Sequence, residues 1–253
     1  MSALLETRDL TKRFGGLTAS NRCVLSIDAG ETHALIGPNG AGKTTLIAQL
    51  AGSLKPDAGS VHFAGADITH RAMHKRVALG LARSYQITSI FARFSVLENL
   101  ALGVLGRSGS SFRFWRPLAV ERSLYQEAAQ FAAQIGLGAR LSALAGELAH
   151  AEQRQLEVGL ALVTRPKLLL LDEPLAGMGP DESQRMIELI RGLNKTVTVL
   201  LVEHDMDAVF KLADRISVMV AGRVIASGTP AQIRDNAEVR RAYLGEAEAG
   251  GGA

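Results

Sequence analysis

The chain has 253 residues, 47% of them hydrophobic and 21% charged, with a formal net charge of +3. That is ample apolar material for one large domain, or for a core with an inserted subdomain, and too little net charge to call for a nucleic-acid partner. The N-terminal residues lack the basic and apolar regions of a signal peptide and no apolar run is long enough to span a bilayer, so the expectation is a soluble chain whose membrane attachment, if any, runs through a partner.

In chain order, Leu4 to Leu10 and Cys23 to Ile27 read as strands around a turn at Phe14-Gly15-Gly16. Cys23 is the single cysteine, which excludes an internal disulfide, fits a reducing compartment and suits core packing. A turn at Asp28-Ala29-Gly30 leads into a third strand, Thr32 to Ile36. Gly37-Pro38-Asn39-Gly40-Ala41-Gly42-Lys43-Thr44-Thr45 follows, and Thr44 to Ala51 has helical composition ending at Gly52. The pattern G-x-x-x-x-G-K-T between a strand and a helix is the P-loop. Its glycines let backbone N–H groups close on phosphate oxygens, Lys43 reaches the β- and γ-phosphates, and the Thr44 hydroxyl suits Mg²⁺. The positive end of the helix dipole lies beneath.

Ser60 to Ala64 reads as another strand, with His33 and His62 on strands and His70 and His74 on a solvated helix. From about Ser95 to Thr164 the composition is mainly helical, interrupted by a loop at Arg107–Pro117. The aromatic and basic residues of Phe112–Arg116 read as local packing, not as a nucleic-acid or membrane surface. Lys167–Leu171 and Thr196–Val202 have the continuous apolar character of strands buried on both faces. Asp181–Arg191 and Val209–Ala213 read as helices, and Ile216–Val220 as a strand turning at Ala221-Gly222 into Arg223–Ala226. The alternation predicts an α/β fold: a P-loop NTPase core with a mainly parallel sheet, antiparallel strands near the N-terminus and an inserted helical subdomain. The core would span about 1–86 and 165–245, the helical subdomain about 87–164, and a tail 246–253.

Two acids end the leucine strand, Asp172 and Glu173. A carboxylate there is costly unless it is paired or faces a ligand, so Asp172 suits a metal-held water and Glu173 a base that accepts a proton from attacking water. His204 ends the next strand, where ligands bind in open α/β sheets, and would lie beside Glu173 and contact the γ-phosphate. The remaining histidines show no metal-ligand spacing.

With these residues in place, nearly the whole chain, from about Leu4 to Gly245, resembles the nucleotide-binding subunit of an ABC transporter. The resemblance implies ATP and Mg²⁺ as ligands. It implies that Gln86 touches Mg²⁺ and signals to membrane subunits, that Phe14 stacks on adenine, that Ala176–Pro180 forms the loop at the subunit interface, and that Ile87 to Phe94 border the groove for a coupling helix. It also exposes a departure. The usual L-S-G-G-Q falls on Leu148, Ala149, His150, Ala151 and Glu152. In the family two subunits pair head to tail, with each ATP between one P-loop and the other signature. Ala149 can neither cap a helix nor donate to phosphate, Ala151 adds a methyl group, and Glu152 brings a negative charge, so the ATP site opposite this segment is expected to be impaired.

Arg13-Phe-Gly-Gly-Leu17, Gly80–Gln86, Ser95–Asn99, Glu152–Glu157 and Ala242–Gly245 resemble the LivG-like subunits of importers for branched-chain and hydrophobic amino acids. Related importers for urea or aromatic acids, and catalytically weak regulatory subunits, share these features. The resemblance implies a second ABC ATPase subunit (a heterodimer, with a homodimer as the alternative), two transmembrane permease subunits, a periplasmic solute-binding protein, and a place on the cytoplasmic face of the inner membrane. It implies no nucleic acid.

Overall fold

The computed structural model describes residues 3–84, 90–107, 118–193 and 196–241, and for 118–121 the backbone alone. Gln86, residues 87–89 of the expected groove, residues 108–117 of the expected loop and the segment from Ala242 onward lie outside the described residues.

Two sheets organise the chain. The first is antiparallel, in the order β2 (Leu17–Ile27), β1 (Leu5–Phe14), β4 (Ala58–Phe63), β5 (Ala66–Asp67). Both leading strands run longer than their apolar stretches suggest. Asp9 and Arg22 adopt positive φ, and the β1–β2 register slips near Leu10 and Lys12, so alternation breaks while pairing continues to the Gly15-Gly16 turn. The second sheet has the order β10 (Arg223–Gly228), β9 (Arg215–Val220), β3 (Thr32–Ile36), β8 (Thr198–Val202), β7 (Leu168–Asp172), β6 (Leu81–Arg83). Every pairing in it is parallel except the β9–β10 hairpin. The fold is therefore α/β, with an antiparallel N-terminal sheet and a mainly parallel central sheet.

The continuous apolar strands sit where such sequences are required. In β7 and β8 every residue is buried, and alternate side chains serve two cores. Leu168, Leu170, Leu200 and Val202 pack with the helix α1 (Lys43–Ala51) and with β1, β2 and β4. Leu169, Leu171, Val199 and Leu201 face the helices α3 (Val96–Arg107), α4 (Leu118–Gln134), α5 (His150–Leu162) and α6 (Pro180–Leu193). Leu46, Ile47 and Leu50 of α1 are fully buried between the two sheets, so the P-loop helix is held by burial along its length. A third cluster covers β3 and β9 with α7 (Met206–Leu212) and α8 (Pro230–Asp235).

One expectation needs correction. His70 is exposed but precedes the helix α2 (Met73–Leu79), which carries His74. Nor is α2 wholly solvated: Arg76 is buried and donates to the carbonyls of Gln49 and Leu50 at the end of α1, and to those of Thr69 and Arg71. Four carbonyls meet this cation, with no carboxylate in hydrogen-bond contact among the described residues, and burial lowers its pKa to about 10.

Candidate nucleotide-binding site

The loop 37–42 leaves β3 and enters α1 through two glycines that no other residue could replace. Gly37 and Gly42 both have positive φ, and a Cβ on either would run into a backbone carbonyl, of Met219 and Ala19 respectively. The loop is tied down from outside as well. The Gly222 N–H, at the turn between β9 and β10, donates to the Ala41 carbonyl (2.9 Å), and the Gly222 carbonyl accepts from Asn21 N–H (2.9 Å). Lys43 is buried against its own loop, donating to the carbonyls of Gly37 (2.6 Å) and Pro38 (2.9 Å).

No side chain caps the start of α1, and its first turn holds no acid. The first N–H groups of a helix have no partner within it, so this end offers main-chain donors and the positive end of a dipole. A cavity of about 300 Å³ is lined by Asn39–Thr45, Phe14, Leu17 and Glu173. Phe14 is half exposed, with the Lys12 ammonium 5.6 Å from its ring centre.

The strand tips supply the rest. Asp172 ends β7 and is buried; its Oδ2 accepts from Arg83 Nη2 at the end of β6 (2.9 Å). Its Oδ1 has no hydrogen-bond partner among the described residues. Burial pushes the Asp172 carboxyl above its usual range, and the Arg83 guanidinium opposes the shift. Glu173 adopts φ 50 and reaches the cavity, with its Oε1 3.9 Å from His204 Nδ1. Directly before His204, Glu203 is almost wholly buried and accepts from the N–H groups of Leu175 (2.9 Å) and His204 (3.2 Å). Burial raises its carboxyl too, against those two amides.

The structure thus brings Phe14, Asn39–Thr45 and Glu173 to one cavity, with Gly37 and Pro38 beneath Lys43 and His204 beside Glu173. The segment 148–152 is elsewhere: Ala149, Ala151 and Glu152 line a separate cavity of about 620 Å³ with Met178 and Glu182. Ala149 occupies the N-cap of α5 with no side-chain cap, and the Glu152 carboxylate reaches back to its N–H (3.1 Å) and pairs with Arg140 (3.3 Å).

The loop and helix end carry backbone N–H groups, the donors that a phosphate takes. The Thr44 hydroxyl at the cavity and the orphaned Asp172 oxygen, buried outside its lining, are hard oxygen donors of the kind Mg²⁺ takes with few protein ligands. A family model described as ABC transporter matches residues 20–176. The chain belongs to the ABC transporter family. A second model, for branched-chain amino acid ATP-binding cassette transporters, matches residues 223–249 of this ABC cassette. Its curated relatives include the high-affinity branched-chain amino acid transport ATP-binding proteins BraF of Pseudomonas aeruginosa and LivG of Escherichia coli. Each is 39% identical, over 96% of this chain and 98% of the relative. Among solved structures, the ADP conformation of an ATP-binding cassette of an ABC transporter superposes with TM-score 0.84 at 30% identity, over 97% of this chain and all of that one. A nucleotide-free cassette gives 0.82 at 28%, over 95% and 98%.

Reading the sequence missed Arg83 and Glu203. Arg83 follows two apolar residues too few to announce a strand. Glu203 carries a usable signal: a carboxylate directly after the five buried residues of β8 has to find donors.

Proposed function

We propose that this chain is the ATP-binding and ATP-hydrolysing subunit of an importer for branched-chain or other hydrophobic amino acids. The observation that carries the reading is the uncapped N-terminus of α1 under a glycine loop, with Glu173 lining the same cavity. The loop amides and Lys43 bind and orient the triphosphate, and Thr45 lies in the same turn. Thr44 and Asp172 would hold Mg²⁺, which supplies charge neutralisation on the phosphates; Gln86 joins them in this proposal. Glu173 takes the proton from the attacking water, His204 contacts the γ-phosphate, and Phe14 packs on the adenine. The names of the full-length relatives support the solute class.

In the assembly we propose, two permease subunits hold this cassette at the cytoplasmic face of the inner membrane, with a periplasmic binding protein beyond. Residues 87–164 form the subdomain that meets the permeases. A second, different cassette pairs with this one, since the missing cap at Ala149 weakens the site completed by segment 148–152 and leaves this chain's own P-loop intact. The test is Mg-ATP binding to the purified chain: Lys43→Ala should abolish it, and unchanged retention overturns the reading. The same missing cap favours a second reading, a regulatory subunit with little turnover of its own. Glu173→Gln in the assembled transporter separates them, since a catalytic subunit loses turnover and a regulatory one does not.

A further inference from the structure

Glu173 and His204 face each other from the ends of neighbouring strands, Glu173 partly covered and His204 mostly exposed. Their side chains are 32% and 66% exposed. Where they stand is therefore decided by the backbone that carries them. Asp172 and Val202 are register partners, and the Glu173 N–H donates to the Val202 carbonyl (2.9 Å), so β7 and β8 stop level with one another. Beyond that point the sheet no longer constrains the chain. Glu173 turns it through φ 50, a conformation that costs a non-glycine residue about 1–3 kcal/mol and persists only where neighbours enforce it.

One group that spans this turn is Glu203, beside the Ala176 N–H that donates to the Glu173 carbonyl. Glu203 follows β8, is 1% exposed, and spends both carboxylate oxygens on backbone. Oε1 accepts from Leu175 N–H, two residues past Glu173, and Oε2 accepts from the N–H of His204 itself. We propose that Glu203 is a positioning residue: its carboxylate ties the loop after β7 to the loop after β8 and so sets the separation between Glu173 and His204. On the far side the second loop is fixed again, where Asp205 caps α7 through the N–H groups of Asp207 and Ala208. A buried carboxylate is costly, and this one faces main-chain donors in place of a cation. An apolar residue would fill the space without bridging the loops. An amide puts an NH₂ donor where one of the two accepting oxygens stands, so one of the backbone N–H groups faces a donor and loses its partner.

The inference rests on the nucleotide reading above, and its test keeps the two apart. Glu203→Gln and Glu203→Ala are made in the full chain, and Mg-ATP affinity, turnover with the membrane partners, and amide hydrogen exchange are followed. A misplacement of about 1 Å costs up to about a hundredfold in rate, so kcat should fall about tenfold to a hundredfold, more for Ala than for Gln. Mg-ATP affinity should change far less than kcat, because the P-loop is untouched and only the His204 contact to the γ-phosphate shifts. The Leu175 amide should lose protection while the amides of β8 keep theirs, which also shows that the variant is folded. Parent turnover in Glu203→Gln, affinity falling in step with kcat, or a Leu175 amide as slow as in the parent overturns the inference alone. A parent chain that binds no Mg-ATP overturns both.

Discussion

Ala149→Ser tests the reading of segment 148–152 by stability before any activity is measured. Ala149 is exposed, extended (φ −59, ψ 155) and directly precedes α5, the conformation of an N-cap residue. Half of a reciprocal cap already exists, since Glu152 accepts from the Ala149 N–H, but Ala149 has no oxygen with which to return the bond. A serine hydroxyl there accepts from the Glu152 N–H at no steric cost and is worth about 1 kcal/mol. For a chain of this size that is a rise in Tm of about 2–4 °C. Ala151→Gly at the second helical position should take back a similar amount, about 1 kcal/mol. The double variant should thus melt near the parent, and any gain in turnover it gives in the assembled transporter reflects the phosphate contact and not stability. Thermal melts of parent, single and double variants give the answer. An Ala149→Ser chain that melts no higher than the parent refutes the capping argument, and a double variant with no added turnover refutes the functional one.

Gly42→Ala forces a Cβ into the Ala19 carbonyl at positive φ; it should cost about 1–3 kcal/mol and remove Mg-ATP binding, read by urea titration and calorimetry. Arg83→Met leaves the buried Asp172 carboxylate without its cation. It should destabilise by about 3–5 kcal/mol at neutral pH and by less in acid, where Asp172 is protonated, and a pH series of melts shows the convergence. Glu157 is buried with one oxygen on Arg154 and the other without a partner among the described residues, and burial raises its carboxyl above the ordinary value. Its contribution is complete below the unfolded-state value and is lost as pH rises through the folded one. Glu157→Gln suffers no such loss, so its Tm should gain on the parent as pH rises through that window and merge with it in acid.

The strands that feed the site were legible because burial on both faces leaves an unbroken apolar run, as in Leu168–Leu171. The P-loop was legible because close approach of backbone to backbone admits only glycine at 37 and 42, and such positions stand out in any sequence. Pairings across long chain separations were not. Arg83 and Asp172 are 89 residues apart, and only the β6–β7 register brings them together. The strand β6 has three residues, too few to display a period. Nothing in the sequence marks Arg76 as buried, because its partners are carbonyls, which leave no mark there.

A tight surface turn is ordinarily where a chain accepts an inserted tag, a label or a new terminus. Ala221-Gly222 is the exception in this chain, because Gly222 is spliced between Ala41 and Asn21 and a Cβ there would press on Ser20 and Asn21. Engineering at that turn reaches the phosphate loop as directly as a change within it. The Ala64-Gly65 turn, with open space around Gly65 and one backbone bond from Ala64 N–H to the Leu4 carbonyl, is better suited to being cut or extended.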